Sequence, residues 1–323
     1  MIPIEWIEQA QTRLAPRILQ TPVTYDEELR VFLKWENRQK TGSFKIRGAT
    51  NKVLTLEVWE RERGLVTASA GNHGQGVALA AREWNVPVHV FCPRETPTVK
   101  LEAMRSLGAI LHLVEGGYSR AEVQAQAFAK ENESAWISPY NDAQVIAGQG
   151  TLVLELAQQI DLNQVACLVV PIGGGGLIAG IASACRQVYP HLKVIGAQSQ
   201  ASPYMAALFQ GKAQSSVVEQ PSLAEGLAGA VEDQSVTIPL VRSLVEDVVL
   251  VSENEIAASM AWAWQRYGER IEGSAAVGLA AVLFKHWTAT PAVVILTGGN
   301  VDEPEFEAIL AAAHTDSQPG AEL

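Results

Sequence analysis

The chain of 323 residues carries 24 Lys and Arg against 35 Asp and Glu, a formal charge of −11, with 48% hydrophobic and 18% charged residues. That length suits one large domain or about two, and the acidic balance argues against a nucleic-acid backbone as partner. Three scattered cysteines (Cys92, Cys167, Cys185) and six scattered histidines form no paired motif, so no disulfide framework and no metal site are expected, and a reducing cytosol fits.

In chain order, "MIPIEWIEQAQTRLAPRI" contains Glu5 and Glu8 and no unbroken apolar core, so it does not read as a signal peptide. "KTGSFKIRGA" (40–49) then sets Lys45 between Phe44 and Ile46, and "IRGA" can start a helix. On composition alone Lys45 would be an exposed residue at a helix start. Strands are expected at 65–70, 86–91, 109–114, 165–172, 193–198, 246–251 and 292–297. Helices are expected near 73–84, 97–107, 119–131, 144–160, 177–188, 253–267 and 274–287. Strand alternating with helix, with strands apolar nearly throughout, predicts an α/β fold with largely parallel sheets covered on both faces. The strands group unevenly, which predicts a large domain from 1–60 and 145–323 enclosing a small one at 61–144. The longest apolar runs, such as "AAVGLAAVLF" (275–284), are about half the length a bilayer needs. A cytoplasmic protein with no membrane partner is expected. The polar end "AHTDSQPGAEL" is expected to fray.

Three glycine-containing loops follow strands. "VVPIGGGGLIAGIASA" runs from an apolar strand into Gly173, Gly174, Gly175 and Gly176 and then into a helix. Four glycines are entropically expensive for a simple turn, whereas bare backbone at a helix start lets several N–H groups meet one anion. A dinucleotide is disfavoured, because no Asp or Glu occurs between Leu177 and Val218 to meet a ribose. A Walker loop is excluded by Leu177-Ile178 after the glycines. A small phosphorylated cofactor remains. "TASAGNHGQGVALAA" places Ser69, Ala70, Gly71, Asn72 and His73 at a second strand-to-helix junction, with Asn72 readable as a cap or as a ligand amide. "ILTGGNVD" is the third such loop, and ligand sites in parallel α/β proteins gather at carboxyl strand ends.

A phosphorylated cofactor and a lysine in apolar surroundings together point to pyridoxal 5'-phosphate, whose attachment needs a neutral amine. Five ordered stretches carry a resemblance: "WENRQKTGSFKIRGA", "SAGNHGQGVA", "PIGGGGLIAG", "EGLA" (225–228) and "TGGN" (297–300). The chain resembles the serine/threonine dehydratase group of the fold type II pyridoxal-phosphate family, which also includes serine racemase. That resemblance implies two open, twisted, mostly parallel sheets covered by helices. It implies that Lys45 carries the cofactor, Phe44 packs near its ring, Asn72 bonds the ring hydroxyl, Gly173 to Gly176 hold the phosphate and Thr297 faces the pyridine nitrogen. Ser69, Ala70, Gly71, Asn72 and His73 would clasp the substrate carboxylate. The implied reaction is β-elimination of L-threonine or L-serine to a 2-oxo acid and ammonia by a homodimer or homotetramer.

The departures from that pattern are informative. Serine racemases of the family carry serine where this chain has Ala70, and a methyl group cannot reprotonate Cα. This favours a dehydratase over a racemase. "GAQSQASPY" offers Gln198, Ser199 and Ser202 and no nearby carboxylate, so a magnesium site there is not expected. Glu272 in "EGSAA" stands where relatives read Glu-Pro, and it is a candidate for a place beside the substrate or the ring. A 3-hydroxyaspartate dehydratase and a β-replacement enzyme are the remaining alternatives, the latter disfavoured by Phe44 and by the "SAGNHGQ" loop.

Overall fold

The computed structural model describes residues 1–316. Ten strands alternate with helices: β1 (Val23–Asp26), β2 (Val31–Trp35), β3 (Leu65–Ala68), β4 (Val88–Pro93), β5 (Ile110–Val114), β6 (Ala135–Trp136), β7 (Cys167–Pro171), β8 (Lys193–Ser199), β9 (Asp247–Val251) and β10 (Ala292–Leu296). They make two sheets, a six-stranded one ordered β1-β2-β10-β7-β8-β9 and a four-stranded one ordered β5-β4-β3-β6. Among the pairs of these described strands, only β1 against β2 is antiparallel. β3, β7 and β10 are buried at every position, as strands covered by helices on both faces must be.

Each sheet reverses direction once. From β7 the chain steps outward to β8 and β9, then crosses back to lay β10 on the other side of β7. From β3 it steps to β4 and β5, then returns to lay β6 on the far side of β3. Crevices open at such reversals, outside the carboxyl ends of the strands. The first crevice is bordered by Gly173–Gly176 after β7 and by Thr297 after β10, the second by Ser69–His73 after β3 and by residues 137–140 after β6.

All seven expected strands and all seven expected helices are present, with ends displaced by a few residues. Additional elements are β1, β2, the two-residue β6 and the helices Ile4–Leu14, Val58–Glu62, Tyr204–Phe209, Thr237–Leu244 and Glu303–Asp316. The C-terminal stretch expected to fray enters that last helix as far as Asp316, and its remainder, 317–323, lies outside the described residues. Two apolar clusters flank the six-stranded sheet: one centres on helices Ala143–Gln159 and Gly176–Val188, the other on Glu253–Tyr267 and Gly273–Leu283. Two smaller clusters flank the four-stranded sheet. Among the described residues no helix is long and apolar enough to cross a membrane.

Candidate active site

Lys45 opens the helix Lys45–Thr55, and burial is the main influence on its amine. Loss of hydration disfavours the charged form and lowers its pKa to about 8, against a smaller upward pull from Glu272. Its Nζ donates to the Pro139 carbonyl at 3.2 Å and lies 5.3 Å from the centre of the Phe44 ring. The Pro139 carbonyl belongs to the segment after β6, so Lys45, at the start of its helix, reaches the crevice of the four-stranded sheet.

The flanking loop is pinned to the segment after β10. Phe44 N donates to Thr297 O at 3.0 Å, Gly299 N donates to Gly42 O at 2.9 Å, and Ser43 bridges Gly298. Thr297 is 2% exposed. Gly298 also admits Glu272, since a Cβ on it would lie 2.5 Å from Glu272 Oε1. Glu272 is half-buried, and loss of hydration raises its carboxyl to about 7 despite the N–H that Asn72 donates to it at 2.8 Å. The structure therefore brings Lys45, Phe44, Asn72, Glu272 and Thr297 into one neighbourhood.

Gly173 to Gly176 have no room for side chains. A Cβ on Gly173 would stand 2.8 Å from Leu227 Cα, on Gly174 2.5 Å from Tyr140 Cδ1, and on Gly176 2.9 Å from Tyr140 Cα. Gly175 caps the following helix in the left-handed region at φ +87°, and no side chain caps that helix start. The helices beginning at Lys45, Asn72 and Gly273 likewise start without a side-chain cap. Four helix N-termini thus begin at the residues of the site, each with free N–H groups and a positive dipole end, a setting for anions. A glycine cradle beside a lysine that can shed its proton fits a phosphorylated carbonyl compound, which needs an anion seat and a neutral amine.

The 69–73 loop is arranged less simply than expected. Ala70 is exposed, whereas Ser69 is buried, with its hydroxyl accepting from Gly71 N at 3.0 Å. His73 is 3% exposed, and its Nε2–H donates to the Ile137 carbonyl at 3.1 Å. That bond assigns the proton to Nε2 and leaves Nδ1 as a buried acceptor with no partner among the described residues. Burial, with the Lys45 charge adding to it, pushes His73 down to about 3, so its ring is neutral.

Sequence reasoning missed several neighbours. Tyr140 forms the wall of the glycine cradle, its OH accepting from Glu232 N at 3.0 Å. Lys100, on helix Thr98–Ser106 beside the small sheet, pairs with Glu225 across the cleft at 2.7 Å. Burial disfavours its charge, yet Glu225 holds it above the ordinary lysine value. Asn300 donates to both Asn72 and Thr41. The "EGLA" and "TGGN" stretches were the available signals for Glu225 and Asn300. The expectation of no carboxylate near Ser199 and Ser202 needs correction, because the fold brings Glu253 to Ser199 and Glu219 to Ser202. Glu253 also accepts from Ser222 Oγ and Leu223 N, so protein donors meet its oxygens. Among the described residues no three His, Cys, Asp or Glu are grouped to hold a metal.

The comparisons agree with this geometry. The model of the family described as "Pyridoxal-phosphate dependent enzyme" matches residues 14–298. The chain is 40% identical over 318 residues to an L-threonine ammonia-lyase of Thermotoga maritima, covering 96% of this chain and 78% of that protein. It is 36% identical over 312 residues to a serine racemase of Arabidopsis thaliana, covering 92% of each. The structure of maize serine racemase superposes with a TM-score of 0.85 at 32% identity, covering 98% of this chain and 99% of that one. With the glycine cradle, the half-buried lysine and the two mostly parallel sheets in place, the chain belongs to the pyridoxal-phosphate-dependent enzyme family and has its fold type II architecture.

Proposed function

We propose that the protein is an ammonia-lyase that converts L-threonine and/or L-serine to 2-oxobutanoate or pyruvate, with loss of the amino group as ammonia. The carrying observation is the supply of proton-transfer groups: one amine, Lys45, that can be neutral near pH 8, and a methyl rather than a hydroxyl at position 70 of the 69–73 loop. There His73 is neutral with its N–H on Ile137, and the loop's one hydroxyl, Ser69, is buried and accepts from Gly71 N. Elimination needs a single base, whereas racemisation also needs a proton donor on the opposite face of Cα.

Pyridoxal phosphate, when bound, supplies the electron sink that makes the Cα proton of an amino acid removable. Lys45 would carry it, Gly173–Gly176 would hold its phosphate at the uncapped helix start, and Asn72 and Thr297 would meet its ring, with Phe44 alongside. In catalysis the Lys45 amine takes the Cα proton. The resulting ammonium stands ready to give a proton to the departing β-hydroxyl. The free N–H groups of the 69–73 segment, at the start of the Asn72 helix, suit the substrate carboxylate. The same reading makes 61–144 a small domain that closes on the substrate against a large domain of 1–60 and 145–323, with Lys100–Glu225 at the mouth.

Racemisation of serine is the second reading, supported by the serine racemases among the similar proteins. The test is a coupled assay of 2-oxo acid release from L-threonine, L-serine, D-serine and 3-hydroxyaspartate, with chiral chromatography of the serine left behind. Ammonia-lyase activity on L-threonine or L-serine with little D-serine is expected, and Ala70→Ser should raise the ratio of racemisation to elimination. A parent enzyme that racemises serine as fast as it dehydrates it would remove Ala70 as the discriminating residue and restore the racemase.

A further inference from the structure

We propose that Asn300 is a positioning residue that holds the Asn72 amide with its N–H side toward Glu272. A main-chain carbonyl can only accept. Asn300 Nδ2 lies 2.8 Å from the Thr41 carbonyl, so the nitrogen end of that amide must point there. The second proton of the same NH2 group points to Asn72 Oδ1 at 2.7 Å. With its oxygen engaged, Asn72 presents Nδ2 to Glu272 Oε1 at 2.8 Å. Turning Asn72 over would set two NH2 groups against each other and an amide oxygen against a carboxylate oxygen.

The surroundings leave Asn300 little freedom. A Cβ on Gly42 would stand 2.5 Å from Asn300 Oδ1, and Gly42 has φ +69°, so a glycine is doubly required there. The consequence falls on Glu272. Burial and Glu225 push its carboxyl upward, while the Asn72 N–H, Lys100 and Lys45 pull it down. Of these, the Asn72 contribution alone has a sign that depends on which way an amide faces. Asn300 thereby acts on the protonation of Glu272 through Asn72, without touching the reacting groups.

This inference rests on the reading that Asn72 and Glu272 border the cofactor, and its test reads the amide rather than turnover. In the holoenzyme, Asn300→Asp replaces the donor by an acceptor. The new carboxylate takes an N–H from Asn72, the amide turns, and Oδ1 faces Glu272. The carboxyl of Glu272, followed by infrared difference against a Glu272→Gln background, should then titrate about one pH unit higher. Glu272→Gln supplies an N–H for the turned amide, so it should raise the Tm of Asn300→Asp by about 2 °C while lowering that of the parent. Asn300→Ala, which leaves the amide unheld, should shift the titration upward by less, and it carries the test if Asn300→Asp does not fold. An unchanged Glu272 titration in these variants, or thermal effects of Asn300→Asp and Glu272→Gln that simply add, would overturn the proposal. Loss of turnover alone would bear on the proposed reaction and leave this orientation standing.

Discussion

Replacing Arg47 by methionine asks what holds the helix that begins at Lys45. Arg47 stands two residues further along that helix, and its side chain is 1% exposed. Its Nε and Nη2 donate to the two oxygens of Glu36 at 2.7 Å each, and Nη2 also meets Glu155 at 2.8 Å. Lys34 from β2 joins Glu155, the Thr21 carbonyl and Gln159. The network thus ties the Lys45 helix to β2 and to helix Ala143–Gln159. Methionine fills much of the volume but leaves Glu36, itself 0% exposed, without its principal partner. Breaking a buried pair from one side costs about 3–5 kcal/mol, roughly 4–7 °C in Tm for a chain of this size.

The pH dependence has a definite sign. Arg47 leads the influences that hold Glu36 below its ordinary value against burial. A depressed carboxylate contributes stability that is fully present above its unfolded pKa and is lost as pH falls through the folded value. Arg47→Met should therefore lose most of its deficit relative to the parent in acid. Urea unfolding of holoenzyme from pH 4 to 8 measures this, and adding Glu36→Gln should recover about 1 kcal/mol or more by removing the stranded charge. A single-variant loss below about 1 kcal/mol at pH 7, or no recovery in the double variant, would refute the claim that these charges anchor the helix.

Lys45→Ala should abolish both turnover and borohydride-trapped cofactor, and peptide mapping of the trapped parent should place the label on Lys45; a label on another lysine sinks the assignment. Because only the neutral amine attacks a carbonyl, cofactor capture by apoprotein should rise about tenfold per pH unit below pH 8 and level off above it, as stopped-flow absorbance would show. A flat profile from pH 6 to 9 would contradict a lowered lysine. Gly174→Ala sets a methyl against the Tyr140 ring, where a Cβ would lie 2.5 Å from Cδ1. Overpacking on this scale costs about 1–3 kcal/mol, so cofactor affinity should fall about tenfold or more by equilibrium titration, and an unchanged affinity would place the anion elsewhere.

The parts legible in the sequence were those whose cause is local. Apolar runs bounded by glycine announced β3, β7 and β10, and the loops after them announced the cradle, because backbone freedom and helix starts are written in consecutive residues. Pairing was hidden. Asn72 and Glu272 lie 200 residues apart, and Lys34 and Glu155 lie 121 apart. No window of sequence contains both partners. β2 escaped notice for the same reason: "VFLKW" carries a lysine that reads as solvated until Glu155 is beside it.

Two lysines within a dozen residues, Lys34 buried and Lys45 half-buried, show what pairing decides. Burial lowers the pKa of both Lys34 and Lys45. Lys34 donates to the Thr21 carbonyl, Glu155 and Gln159, and two carboxylates, Glu155 and Glu36, oppose the loss of its charge. An ammonium has three protons, and these partners engage all of them. Among the described residues Lys45 donates to the Pro139 carbonyl alone, and only Glu272 opposes the loss of its charge, a carboxylate weakened because its pKa stands near 7. Its proton can be given up, and the lone pair then exposed lies beside a cradle of helix N-termini that would hold an anion. Lys34 is thereby held as a structural cation and Lys45 is left as the candidate nucleophile, although both stand in apolar stretches of the same kind.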